Sequence, residues 1–176
     1  MMRCNIVLSG GMCTGKTTLM YRLAKEFGLS LVTDHTTRPM RRGESQGNPY
    51  TFISHKDFEK NKDAGLYFEP VYYMGHWYGF LLEPLFTKSP WVIDVIASKW
   101  LLFKKTFPNT VGVYLESPTS EDELIRRAKE RGDSEEEIKA RLSLVESESK
   151  LGFDIYVPGD QSLDSVYAII GNKITR

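Results

Sequence analysis

The chain has little of what several protein classes require. Only two cysteines, Cys4 and Cys13, occur in 176 residues, which excludes a disulfide framework. No apolar run approaches the roughly 18 residues of a membrane span. Met1 to Ser9 is too short for the basic and apolar regions of a signal peptide together. There is no surplus of charge: Lys plus Arg is 23 and Asp plus Glu is 23. A protein that coats nucleic acid through bulk charge needs a basic face, so that class is not expected. Repeats and low-complexity stretches are absent. The three histidines, His35, His55 and His76, show no metal-ligand spacing and read as structural or surface groups. What remains is a soluble, cytoplasmic, single-core domain, monomeric or homodimeric, with no membrane or nucleic-acid partner. Apolar residues at 41% and aromatics at 12% suffice for a core.

What is present is an alternation of strand and helix signals. Ile6-Val7-Leu8 centres an apolar strand over 3–9, and Lys16 to Phe27 has helical apolar spacing and ends at Gly28. Residues 31–33 suggest a second strand. Residues 34–50 are polar, arginine-rich and punctuated by Gly and Pro, which reads as a loop. A short strand at 50–53 follows, then a helix from Ser54 to about Ala64, and a β-hairpin over 68–82. Trp91 to Ile96 is a strand, 97–107 a helix stopped before Pro108, and 110–115 a strand. Ser120 with Glu123, and Ser134 with Glu137, have capping-box spacing for two more helices. A strand at 155–157 and a helix at 163–174 close the chain. The expected fold is α/β: a parallel sheet with helices on both faces. Its core covers about 1–33 and 83–176, with an inserted mixed lobe at 34–82 and a helical lid at 119–142.

Gly10-Gly11-Met12-Cys13-Thr14-Gly15-Lys16-Thr17 fits G-x-x-x-x-G-K-[ST], the phosphate-binding loop. It follows an apolar strand and opens a helix, as that loop requires. Glycines let the backbone curl so that its N–H groups converge on phosphate oxygens, and the helix presents its positive end to the same anion. Residues 10–18, Thr18 included, are the expected ATP contacts. Lys16 reaches the β- and γ-phosphates, and Thr17 offers its hydroxyl to Mg²⁺. Asp94, at a strand end, is either a second Mg²⁺ ligand or a cap on a neighbouring turn. Cys13 is either a small side chain facing away from ligand or a thiol with a lowered pKa beside the loop amides.

A phosphate loop alone does not choose a reaction. The guanine-reading motif N-K-x-D of GTPases is absent. Arg38 and Arg41 lie three apart in a loop next to hydroxyls, and two guanidinium forks can clamp a phosphate bidentately. The segment Thr36-Thr37-Arg38-Pro39-Met40-Arg41-Arg42-Gly43-Glu44 resembles the T-T-R-x-x-R-x-G-E of the guanylate kinase family. Pro49-Tyr50-Thr51-Phe52, Tyr67-Phe68-Glu69, Gly75-His76-Trp77-Tyr78-Gly79 and the lid run from Arg127 to Leu142 match further family motifs in order. The lid has one residue fewer after Gly132.

The resemblance implies a P-loop NTPase fold and an ATP-dependent nucleoside monophosphate kinase, with ATP as co-substrate and Mg²⁺ as cofactor. By analogy Arg38, Arg41, Tyr50 and Tyr78 hold the acceptor monophosphate and Glu69 reads its base. Arg127, Arg131 and Arg141 come from the lid onto the ATP phosphates. Lys16, Arg38 and the three lid arginines are the expected catalytic groups.

Departures concentrate on the base pocket. Asp34 stands where the family has Ser, Phe80 where it has Ser or Thr, and Ile96 where it has a second acid. An ionised Asp34 suits an amino group better than guanine O6. Either the acceptor is a different (d)NMP, or Asp34 turns away and His35 or a water donates to GMP. Gly11-Met12-Cys13 replaces Pro-Ser-Gly, and Val157-Pro158-Gly159-Asp160 replaces a V-N-D stretch near the adenine. A non-catalytic guanylate-kinase-like binding module, or a kinase of a phosphorylated sugar, are the rival readings. Lys16 and Thr17 argue against the first, and Glu69, Tyr50 and Tyr78 against the second.

Overall fold

In the computed structural model the chain forms two compact units, residues 1–31 with 90–176, and residues 32–89. The described residues are 4–117, 120–143, 151–159 and 161–174. Arg3 of the expected first strand, the first residue of the expected lid and Asp160 lie outside them.

The first unit is built on a parallel five-stranded sheet. Its strands are β1 (Asn5–Gly10), β2 (Ser30–Leu31), β7 (Trp91–Asp94), β8 (Thr110–Leu115) and β9 (Ile155–Val157). Their order is β2-β7-β1-β8-β9. β1 lies between β7 and β8 and is buried along nearly its whole length, as a central parallel strand must be. On one face, Ile6, Leu8, Val92, Val113 and Leu115 pack with Leu19 and Leu23 of α1 (Lys16–Phe27) and with Val166 and Ile170 of α7 (Leu163–Ile174). The opposite parity faces α4 (Trp100–Thr106), where Trp91 meets Phe103 and Phe107 edge-on and Trp100 stacks on Phe153.

Gly112 is what lets α4 approach. A Cβ there would lie 2.5 Å from the Trp100 ring. That ring is fully buried and anchored by its indole N–H on the Gly152 carbonyl. Overpacking of this kind costs about 1–3 kcal/mol. Gly112→Ala is therefore expected to lower the melting temperature by roughly 2–12 °C, at about 2–4 °C per kcal/mol. Thermal denaturation measures it, and an unchanged midpoint would contradict this packing.

The second unit carries a four-stranded sheet ordered β4-β3-β6-β5. These are β3 (His35–Thr36), β4 (Thr51–Phe52), β5 (Tyr67–Tyr73) and β6 (His76–Leu81), with α2 (His55–Asp63) and α3 (Leu82–Thr87). Ser54 caps α2 by accepting from the Asp57 amide. The sequence reading differs from the structure in several places. β3 lies inside the stretch read as loop; its pairing comes from β4 and β6, which sequence periodicity cannot report. α3 was not anticipated, because Pro84 reads as a breaker, yet Pro is tolerated in a helix's first turn. The second strand is Ser30–Leu31, not 31–33. In the first unit, the expected helix at 97–107 begins as a 3₁₀ turn, Ala97–Lys99, before α4.

Two short helices, α5 (Glu121–Arg131) and α6 (Glu135–Leu142), follow β8. Gly132, left-handed at φ 92°, ends α5, and a complete capping box of Ser134 and Glu137 opens α6. No described helix is long and apolar enough to cross a membrane.

Candidate active site

The loop after β1 takes the form its glycines and lysine predict. Gly15 caps α1 at φ 82°, in the left-handed region, and has no side chain with which to cap the helix. The positive end of α1 favours an anion there. Gly10 passes so close to β8 that a Cβ would lie 2.1 Å from the Leu115 carbonyl oxygen. Lys16 Nζ donates to the carbonyls of Gly10 (2.9 Å) and Gly11 (2.7 Å), folding back over the loop. Thr14 Oγ1 closes the turn on Gly11 O.

Cys13 adopts φ 57°, a conformation L-residues enter at a cost of roughly 1–2 kcal/mol. The Met12 side chain is buried against Leu124 and Ala128 of α5 and Ile138 of α6.

Asp94 ends β7 in register with Leu8, the strand leading into the loop. Burial raises its pKa, and the nearby charges of Lys16 and Arg141 offset that only in part. A carboxylate at this edge and the half-buried Thr17 are hard oxygen donors, of the kind Mg²⁺ takes in ones and twos beside nucleotide phosphates. These residues fit that ion. Among the described residues no cluster of three or more His, Cys, Asp or Glu could hold a metal alone.

The lid arginines differ in their surroundings. Arg127 pairs with Glu123 at 2.7 Å and extends Nη1 to the Cys13 carbonyl of the phosphate loop at 3.4 Å. Hydrogen bonds from Arg126 and Arg127 hold Glu123 at a pKa of about 2. Arg131 donates through Nε and Nη2 to Asp133, whose side chain is fully buried. Arg141 is half-buried and acts electrostatically on Asp94. Ile96, half-buried, precedes the 3₁₀ turn.

In the second unit the expected phosphate clamp is a packed cluster. Arg38 is 5% exposed. Its Nη2 grips both oxygens of Glu44 (2.8 and 3.1 Å), Nη1 donates to Pro39 O, and its guanidinium lies over the Tyr50 ring. Burial works against its charge, but the Glu44 carboxylate more than offsets this and raises the pKa. Glu44 also accepts the Arg41 backbone N–H at 2.7 Å, so one carboxylate organises both arginines. Its place in the T-T-R-x-x-R-x-G-E match was the signal available for this role. Tyr50 meets Tyr78 edge-on.

Strand parity sorts the base-pocket residues. Thr36 pairs with Tyr78 and shares parity with Asp34 and Arg38; all four are buried. His35 sits on the other face, with its Nδ1 2.8 Å from the Tyr67 hydroxyl, which Asn61 also contacts. Burial lowers the His35 pKa. Phe80 is buried opposite Phe68, and Glu69 is exposed at a β-bulge with φ 42°.

A family model described as Guanylate kinase matches residues 2–175. The chain belongs to the guanylate kinase family. A guanylate kinase of Chlorobium luteolum is 32% identical over 174 residues, covering 94% of this chain and 88% of the relative. One from Neisseria gonorrhoeae is 36% identical over 162 residues, covering 88% and 78%. The crystal structure of the Anaplasma phagocytophilum guanylate kinase superposes with a TM-score of 0.72 at 18% identity, covering 99% of this chain and 88% of that one. A gluconokinase from Sinorhizobium meliloti shares the fold at a TM-score of 0.57 and 17% identity. The guanylate kinase family is therefore set by the sequence matches, while the structural likenesses carry the fold.

Proposed function

We propose that this ATP-dependent nucleoside monophosphate kinase takes GMP and dGMP as acceptors, giving ADP and the (d)GDP. The observation that carries the reading is the Arg38–Glu44–Tyr50–Tyr78 cluster, with Arg38 and Tyr78 buried, in a chain that also keeps a phosphate loop with intact Lys16 and Thr17 and is matched to guanylate kinases over residues 2–175. The acceptor is already a phosphate anion, so no dedicated general base is needed. Phosphoryl transfer asks mainly for positioning and charge neutralisation. Lys16 and the arginines at 127, 131 and 141 take the donor phosphates, and Arg38 and Arg41 the acceptor phosphate. Thr17 and Asp94 would hold Mg²⁺, which would supply further neutralisation of phosphate charge. Glu69 accepts from guanine N1–H and the N2 amine.

Asp34, buried at 7% exposure, is the feature that favours a second reading, because an ionised carboxylate suits an amino group better than guanine O6. The named relatives weigh against that reading. The test mixes the protein with MgATP and each common NMP and dNMP in turn, counting ADP released. Turnover confined to GMP and dGMP is expected. Turnover on another base with GMP silent would make Asp34, Phe80 and Ile96 the specificity switch and overturn the proposal.

A further inference from the structure

The phosphate loop and the lid helices share a small apolar core of their own. Met12 is buried at 6% exposure against Leu124 and Ala128 of α5 and Ile138 of α6. Cys13, Ile125 and Leu142 pack around them. These helices are otherwise highly charged: α5 reads EDELIRRAKER and α6 EEEIKARL. Their few apolar side chains form one stripe, and it closes on Met12. Arg127 adjoins Ala128 on α5 and bonds to the carbonyl of Cys13, next to Met12. Arg131 and Arg141 ride on the same two helices. Gly11-Met12-Cys13 stands where the family resemblance leads one to expect Pro-Ser-Gly, so that resemblance gives no counterpart to this side chain.

We infer that Met12 is a positioning residue for the donor nucleotide. It is an apolar peg that fixes the lid arginines at the phosphate loop before ATP arrives. The inference rests on the reading of Arg127, Arg131 and Arg141 as donor-phosphate groups. Methionine suits the task because an unbranched, flexible thioether fills an irregular gap between two helices and a loop. With the peg in place, the arginines need no ordering when ATP binds, and that ordering would otherwise weaken binding.

The test is steady-state kinetics with MgATP and GMP on Met12→Ala, Met12→Ser and Met12→Leu, with Arg127→Ala alongside. Met12→Ala and Met12→Ser are expected to raise KM for ATP about tenfold or more, since small misplacements of positioned groups are costly. KM for GMP stays within about twofold on the same argument. Met12→Leu restores the KM for ATP, because volume-conserving apolar exchanges are tolerated. Ile138→Ala removes the α6 side of the cluster without touching the loop. It is expected to give the same selective rise, and it serves if Met12→Ala fails to fold. If Arg127→Ala raises KM for ATP and the Met12 and Ile138 variants do not, the inference is wrong. A rise in both KM values together, or a drop in melting temperature alone, would reduce Met12 to a core residue and also overturn it. If Arg127→Ala too is without effect, the reading of the lid arginines as donor-phosphate groups fails, and the inference falls with it.

Discussion

Lys16→Ala is expected to lower kcat by roughly 10³-fold, with a melting temperature close to that of the parent protein. Removing one preorganised group that stabilises developing charge costs about 10²–10³ in rate. Lys16 is the lysine on which the phosphate loop's motif depends. In the structure its Nζ is parked on the Gly10 and Gly11 carbonyls, within its own loop. Those bonds are half-exposed and local, so losing them costs about 1 kcal/mol of stability. A compact point charge is what the loop cradles, and a guanidinium is a planar fork. Lys16→Arg is therefore expected not to restore the rate. Steady-state kinetics beside thermal denaturation separates the two effects. Near-parental kcat in a folded Lys16→Ala protein would remove the loop from the chemistry.

The second large effect is expected at Arg38. Arg38→Met keeps much of the side chain's length but strands Glu44, whose side chain is only 16% exposed. Breaking one side of a buried ion pair costs about 3–5 kcal/mol, because the remaining charge has lost its partner. The contact over Tyr50 goes with it. KM for GMP is expected to rise about 10²-fold, as befits the loss of a charged, bidentate phosphate ligand. The stability and binding effects can be separated. Arg38→Met combined with Glu44→Gln removes the stranded charge, so most of the lost stability returns while KM stays high. Coupling of this kind is what a double-mutant cycle reads. If the double variant regains GMP affinity as well, Arg38 is a structural ion-pair partner and not an acceptor ligand.

The legible parts of this fold are those whose signal is local. α1 occupies Lys16–Phe27, the span its periodicity and terminal Gly28 indicate. β8, β9 and α7 likewise match their expected bounds. Capping serines mark α2, α5 and α6 because an N-cap is written in adjacent residues. β3 was illegible because two residues, His35 and Thr36, have no periodicity, and neighbours β4 and β6 make them a strand.

The site divides the same way. The phosphate loop and the arginine pair are linear motifs. What holds the arginines is local as well, Glu44 six residues from Arg38 and Asp133 two from Arg131, but the packing of Met12 against α5 and α6 is long-range and not written in any motif. The base pocket is set by long-range pairing that the sequence does not display: His35 pairs with Gly79 and meets the Tyr67 hydroxyl, 32 residues on.

The central claim is transfer of a phosphoryl group from ATP to GMP. The most direct measurement incubates the protein with Mg²⁺, GMP and ATP labelled in its γ-phosphate, then separates the products. The account predicts label in the β-phosphate of GDP, one ADP formed per GDP, and almost none in inorganic phosphate. Label that stays in ATP, or passes to inorganic phosphate with GMP untouched, would contradict it.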